Sequence, residues 1–484
     1  MFKIIYNRYF PFWLLTITCI MFLIVAPLIQ DGAFMDGMLY VSVSKNLADG
    51  IGTFWDPHFC KTYQSSFHEQ PPLYFGVLAL FYKTLGSSMY VERLFGLLCF
   101  MVTAWGIHKF WKKIYPLQPD IRLNSWFPLL LWLIIPICFW AYTNFVEETL
   151  MGIFDLFAIY FLYVALFMKA NVLRNILIAG VFIFLASLTK GPQGMFPLVA
   201  IGFYWLVNRD ISFKRMLGLS LFLVAVPFLI YVLLILINAE VLTSFEKYFQ
   251  DRILHTFSHK NDTTQNRFEL LSQLFWHLLP ITCIAAIIVF FTRKRNVEKG
   301  ERANKIILWF LLIGLSGSLP LMITLEQRGF YLVTTLPFFA IALAMWAAPG
   351  LSLLVEKIKP QSKWFKAAIL VVVALFLASL VYTVSCVGKA KRDVAMLSDV
   401  YTLGRILPRG ITVSVPAPMC MDFSFKEYMI RYFYISADDT PAMHKYMICR
   451  KNLPQEWVPS VYRQLPLETK EFDLYILDKS TEIK

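Results

Sequence analysis

The sequence predicts an all-α polytopic membrane protein of about 11 transmembrane helices, followed by a small extracytoplasmic α/β domain. Three observations carry this. Of the 484 residues, 58% are hydrophobic and 16% are charged, where soluble domains are about 25% charged. Apolar runs near the roughly 20 residues a helix needs to cross a bilayer recur from residue 9 to residue 386. After residue 388 the pattern changes to an amphipathic stretch and short β-rich runs.

The net charge of +13 is spread over short clusters between the apolar runs, such as RKRNVEKGERANK at 293–305. Positive-inside loops have that form, and it argues against nucleic acid as a partner. MFKIIYNRYF and the run to Ile29 lack a clear small-x-small cleavage site. They read as a retained first helix with a cytoplasmic N-terminus.

Spans are expected at 9–29, 89–110, 125–144, 149–168, 172–189, 194–208, 216–238, 271–292, 305–325, 330–348 and 364–386. The run at 71–86 is too short, reaching only about 24 Å at 1.5 Å per residue. Read as an outer-surface helix, it leaves Lys109, Lys112, Lys169, Arg209 and the 293–305 cluster cytoplasmic. Read as a span, it turns them all outward. The run at 194–208 crosses only by extending into its flanks. The domains expected are thus 1–388 in the membrane, with outer loops at 30–88 and 239–270, and 389–484 outside it. The second contains an amphipathic stretch at 393–407 and the β-rich runs ITVSVPA, YMIRYFYIS, KYMIC and FDLYILD.

With this topology, ionisable residues collect at the outer ends of the spans. The first loop has Asp31, Asp36, Asp49, Asp56, His58, His68 and Glu69, and TNFVEET has Glu147 and Glu148. LTKGPQG has Lys190, the fourth loop Lys247, Arg252, His255, His259, Lys260 and Arg267, and TLEQRGFYL has Glu326, Arg328 and Tyr331. Ionisable groups at membrane depth are costly and point to function. Arg and Lys suit a phosphate, a carboxylate can serve as general base, and the apolar surroundings suit a polyprenyl tail. The plainer readings stand beside these. Asp49 and Asp56 read as solvated loop residues, Lys247 and Lys260 as surface charges, and one of Glu147 and Glu148 as facing solvent. Lys190 could equally snorkel to the interface. His255 and His259 have helical metal-ligand spacing but no HExxH and no third ligand. No metal is assigned, although a divalent cation is left open as cofactor. Cys420 and Cys449 fall on the oxidising side, where a disulfide could form.

Four stretches carry a family resemblance: MDGMLYVSVSKNLADG (35–50), FHEQPPLYFG (67–76), TNFVEETL and LTKGP. RGFYLVTTLPFFAIALA adds to them. In this order they resemble the polytopic GT-C glycosyltransferases that use polyprenyl-phosphate sugars, the group of protein O-mannosyltransferases and aminoarabinose-lipid A transferases. The resemblance covers roughly residues 1–350. It implies transfer of a sugar from a polyprenyl-phosphate donor to an acceptor hydroxyl on the outer face, with inversion, in a bacterial cytoplasmic membrane. The acceptor would be a lipid, glycan or protein.

By the same resemblance Asp36 is the catalytic carboxylate, with Asp31 the second choice. Glu69, His68, Glu147, Glu148 and Tyr331 would face substrate or acceptor. Lys190, Arg267, Arg328 and His255 would hold the donor phosphate. The chain departs from the pattern in two places. The usual Asp-Glu pair is Asp36-Gly37, and the usual lysine before the proline pair is Gln70. A transporter or flippase of lipid-linked sugars, or an O-antigen polymerase or ligase, are the alternatives. The first would have symmetric broken helices, and the second a large late outer loop.

Overall fold

A computed structural model describes residues 7–254, 263–293 and 300–478. They fall into two compact units. The first gathers the described residues of 1–29, 69–73 and 94–387, and the second those of 30–68, 74–93 and 388–484. The division does not follow the boundary expected at residue 388, because most of the first outer loop clusters with the C-terminal segment.

Among the described residues, nine helices are long and apolar enough to cross a membrane. Phe213–Ile237, Glu269–Thr292 and Lys363–Ser385 bury few of their side chains, as helices facing lipid do. Glu148–Leu166 and Leu336–Glu356 are mostly buried and form the centre of the first unit.

Two expected spans take other forms, which is why eleven runs yield nine long helices. The run at 125–144 is broken into Trp126–Leu133 and Pro136–Tyr142. Pro136 has no N–H to continue a helix and excludes the helical conformation from Ile135. The runs at 172–189 and 194–208 are joined by a 3₁₀ segment, Gly191–Val199, and they double back on each other. Gly191 makes the reversal at φ +68°, and Gly194 then lies so close to Ala186 that a Cβ would sit 2.5 Å from its backbone. The 3₁₀ segment rises about 2 Å per residue, so with Ala200–Asn208 it reaches about 30 Å. That stretch is how the short run attains the length of a span. The return is confirmed at its far end, where Lys169 pairs with Asp210 at 3.0 Å and Tyr204 donates to the same carboxylate at 2.7 Å.

The short run forms the helix Leu73–Leu85, in the second unit. That unit also contains the helices Met35–Ala48, Val394–Ile406 and Phe423–Phe433. Its five-stranded sheet consists of β1 (Thr412–Ser414), β2 (Ser436–Asp438), β3 (Tyr446–Arg450), β4 (Tyr462–Gln464) and β5 (Phe472–Leu477) in the order β2-β1-β3-β5-β4. β1 runs parallel to β2 and β3, and β5 antiparallel to β3 and β4. Asp399 ties a helix to the sheet by accepting from the backbone N–H groups of Lys470, Glu471 and Phe472.

One expected strand is corrected. Most of YMIRYFYIS belongs to the helix Phe423–Phe433, and the strand begins only at Ser436. Its aromatic residues favour strands, but Phe425, Tyr428 and Met429 recur at helical spacing and are buried together. Tyr434, in the left-handed region at φ +53°, ends the helix.

Asp31 joins the first-loop segment to the C-terminal segment inside this unit. Its backbone bridges to Ala390, and its side chain accepts from Arg93 at 2.9 Å, Tyr401 at 2.6 Å and Tyr432 at 2.7 Å. Nearby, buried Glu92 accepts from Arg431 at 2.7 Å and Tyr82 at 2.8 Å. Cys420 and Cys449 are both free thiols.

Candidate active site

The helices Glu148–Leu166 and Val172–Lys190 are each 19 residues long and pack as an antiparallel pair. Equal lengths bring the first turn of one level with the last turn of the other. Glu148 occupies that first turn and Lys190 that last turn, the ends where the helix dipole favours an acid and a base respectively. Lys190 Nζ lies 2.7 Å from Glu148 Oε1 and 3.9 Å from Glu147 Oε2. Both glutamates are fully buried and Lys190 is 6% exposed. Neither the solvent-facing glutamate nor the snorkelling lysine of the plainer readings is present.

The ammonium group also sits 4.9 Å above the ring of Tyr331. Tyr331 is held by Gln193, whose side chain donates to its carbonyl at 2.9 Å. Its hydroxyl donates to Glu326 at 3.1 Å, and Arg252 pairs with the same carboxylate. Arg252 comes from a π-helical turn, Phe249–Leu254, which continues the helix Glu240–Tyr248. Gln327 locks the neighbouring loops together. Its side chain donates to the carbonyls of Arg267 and Thr324 and accepts from the N–H of Leu270.

These groups surround a cavity of about 280 Å³ in the first unit. Lys190 and Arg252 supply its positive charge, and Glu326 its carboxylate. Gln70, Gln193 and Tyr331 add neutral polar groups, while Pro320 and Leu321 make an apolar wall. Tyr248 also lines it. Burial pushes the Tyr248 hydroxyl well above the usual tyrosine range, and its neighbour Arg252 only partly offsets this. A site of this kind can hold an anion between two cations in a low-dielectric setting, with an apolar group beside it.

Of the residues expected to bind phosphate, Lys190 lines the cavity. Arg267 and Arg328 are not among the lining residues, and Arg267 is exposed. His255 and His259 lie outside the described residues. Arg252 stands where Arg267 or Arg328 was expected. Both Arg252 and Glu326 are visible as loop charges, but their pairing joins separate loops and spacing does not reveal it. Tyr331 also lines the cavity, and Glu147 and Glu148 lie against Lys190. Glu69 is half-buried next to the lining residue Gln70.

Asp36 and His68 belong to the second unit. Asp36 is half-buried in the first turn of Met35–Ala48. His68 is buried, with Nε2 2.8 Å from Asp56, so Asp56 is an organised turn residue and not merely a solvated one. Asp31 is so fully engaged by its four donors, counting the Gly32 N–H, that it fits a structural role. Among the described residues, no three His, Cys, Asp or Glu side chains group as metal ligands would.

The sequence model of the dolichyl-phosphate-mannose-protein mannosyltransferase family matches residues 69–235. The chain superimposes on ArnT from Cupriavidus metallidurans bound to undecaprenyl phosphate with a TM-score of 0.67 and 14% identity, over 96% of this chain and 97% of that one. The apo form of the same protein gives 0.65. The archaeal oligosaccharyltransferase AglB from Archaeoglobus fulgidus, in complex with an inhibitory peptide and a dolichol-phosphate, gives 0.53 at 10% identity, over 92% of this chain and 69% of that one. No curated protein sequence matches. Fold and motifs therefore agree on the class: a multi-pass membrane protein with the GT-C glycosyltransferase fold.

Proposed function

We propose that this chain transfers a sugar from a polyprenyl-phosphate donor to an acceptor hydroxyl on the outer face of a bacterial cytoplasmic membrane, with its N-terminus inside. The observation that carries the reading is the cavity that Lys190 and Arg252 flank, in a fold shared with ArnT bound to undecaprenyl phosphate.

The donor phosphate rests against Lys190 and Arg252. The acceptor oxygen attacks the anomeric carbon as the bond from that carbon to the phosphate oxygen breaks. The phosphate leaves with the electron pair, and the two cations stabilise the charge it gains. Asp36 takes the acceptor proton as general base. A single displacement inverts the anomeric centre. Glu147 and Glu148 orient Lys190, while Glu69 and Tyr331 face sugar or acceptor.

Replacing Asp36 with Asn tests the chemical step. The account expects transfer to fall by at least about a hundredfold, the lower end of what a general base contributes. Donor binding should persist. Full activity of the Asn variant would remove Asp36 from this role.

A further inference from the structure

Asp36 is followed by Gly37, so no acid adjoins it in the sequence, yet another part of the second unit brings one within its electrostatic reach. The helix Phe423–Phe433 packs on Met35–Ala48, and three hydrogen bonds set its position along that stretch. Tyr428 Oη bonds to both the N–H and the carbonyl of Ala33, ahead of Asp36. Ser42 Oγ reaches the Glu427 carbonyl at 3.2 Å, beyond it. Glu427 therefore falls between the two, within electrostatic reach of Asp36. It is 4% exposed, and its Oε2 has no hydrogen-bond partner among the described residues.

We propose that Glu427 is a positioning residue for Asp36, acting from the C-terminal segment as a neutral carboxylic acid. The proposal rests on the role of Asp36 proposed above. Two carboxylates within electrostatic reach of each other do not both ionise as readily as either alone. Burial comes first in keeping Glu427 protonated, and the Asp36 charge second. The other charged groups facing it are Arg392, which opposes the effect, and Asp393 and Asp422, which reinforce it. A neutral Glu427 has a proton to donate to the Asp36 carboxylate. That donation holds Asp36 in one orientation and favours its ionised, proton-accepting form.

The test compares Glu427→Gln and Glu427→Leu with wild type in full-length protein reconstituted in nanodiscs. Transfer from a polyprenyl-lipid extract of the source membranes is followed from about pH 5 to pH 9. Gln keeps a neutral donor, so its kcat should stay within about threefold and its acid limb should not move. Leu should lower kcat about tenfold, leave KM for the extract unchanged, and move the acid limb up by about one pH unit. Infrared difference spectra should show a protonated carboxyl band at neutral pH that is lost in the Gln variant, a reading that holds even if the Leu variant does not fold. An acid limb that stays in place in the Leu variant, or the absence of that band, would overturn the proposal. Asp36→Asn separates the two claims. If it is inactive while the Glu427 variants behave as wild type, only the Glu427 inference fails. If it is fully active, the reading of Asp36 fails.

Discussion

Lys190 Nζ and Glu148 Oε1 meet at 2.7 Å because two 19-residue helices, packed antiparallel, end level with each other. Glu147 stands behind the pair at 3.9 Å, so removing the cation would leave buried negative charge uncompensated. Lys190→Met should cost about 3–5 kcal/mol of stability and abolish transfer. The triple variant Lys190→Met, Glu147→Met, Glu148→Met, which removes both buried acids with the cation, should recover much of that stability and none of the activity. Thermal unfolding in detergent beside a transfer assay distinguishes the two effects.

Arg252 faces the cavity, whereas Arg267 and Arg328 do not line it. Arg252→Ala should weaken donor binding by about 2–3 kcal/mol, the scale of a charge-assisted hydrogen bond. Arg267→Ala and Arg328→Ala should each change it less than about threefold, because neither lines the cavity and Arg267 is an exposed charge. Retention of a labelled polyprenyl phosphate by the three purified variants ranks them directly.

Gly191 turns the chain at φ +68°, and a Cβ there would collide with the Tyr248 hydroxyl. Gly191→Ala should cost about 1–2 kcal/mol from the left-handed backbone alone. It should also lower transfer by shifting Lys190, its direct neighbour. Melting temperature and donor KM should move together.

Asp31 supplies a pH test of the second unit. Burial alone would raise its carboxyl, but the hydroxyls of Tyr401 and Tyr432, then Arg93 and the Gly32 N–H, outweigh it and hold the group below the usual carboxylate range. A depressed acid gives stability that is fully present above its unfolded value and lost as pH falls through its folded value. Asp31→Asn should therefore be less stable than wild type at neutral pH. The gap should narrow as pH falls below about 4, as melting curves over that range would show.

Much of the membrane architecture was legible because charge is scarce in apolar sequence. Lys190, Glu147 and Glu148 stand out at the ends of long apolar runs, and the helical pairing that joins them follows from run length. The short run at 71–86 was separable by its length together with the basic loops that a further span would have turned outward. The breaks were less legible. Pro136 marks one, but the 3₁₀ segment that extends the 194–208 run depends on how Gly194 packs against Ala186. Arg252, Arg267 and Arg328 look alike in sequence, and a π-helical turn together with the Gln327 contacts decides which one faces the cavity. Glu427 was invisible beside Asp36 because the two come from opposite ends of the chain and meet only through helix packing. The helix over most of YMIRYFYIS that carries Glu427 nearby was itself masked by strand-favouring aromatics.

The most direct test of the account is to measure both products of one turnover. Reconstituted protein is given the polyprenyl-lipid extract and an acceptor fraction, and mass spectrometry counts free polyprenyl phosphate against new glycoside. The account predicts equal amounts of the two, abolished together in Lys190→Met and Asp36→Asn. Movement of intact sugar-lipid across the bilayer with no glycoside formed would contradict it.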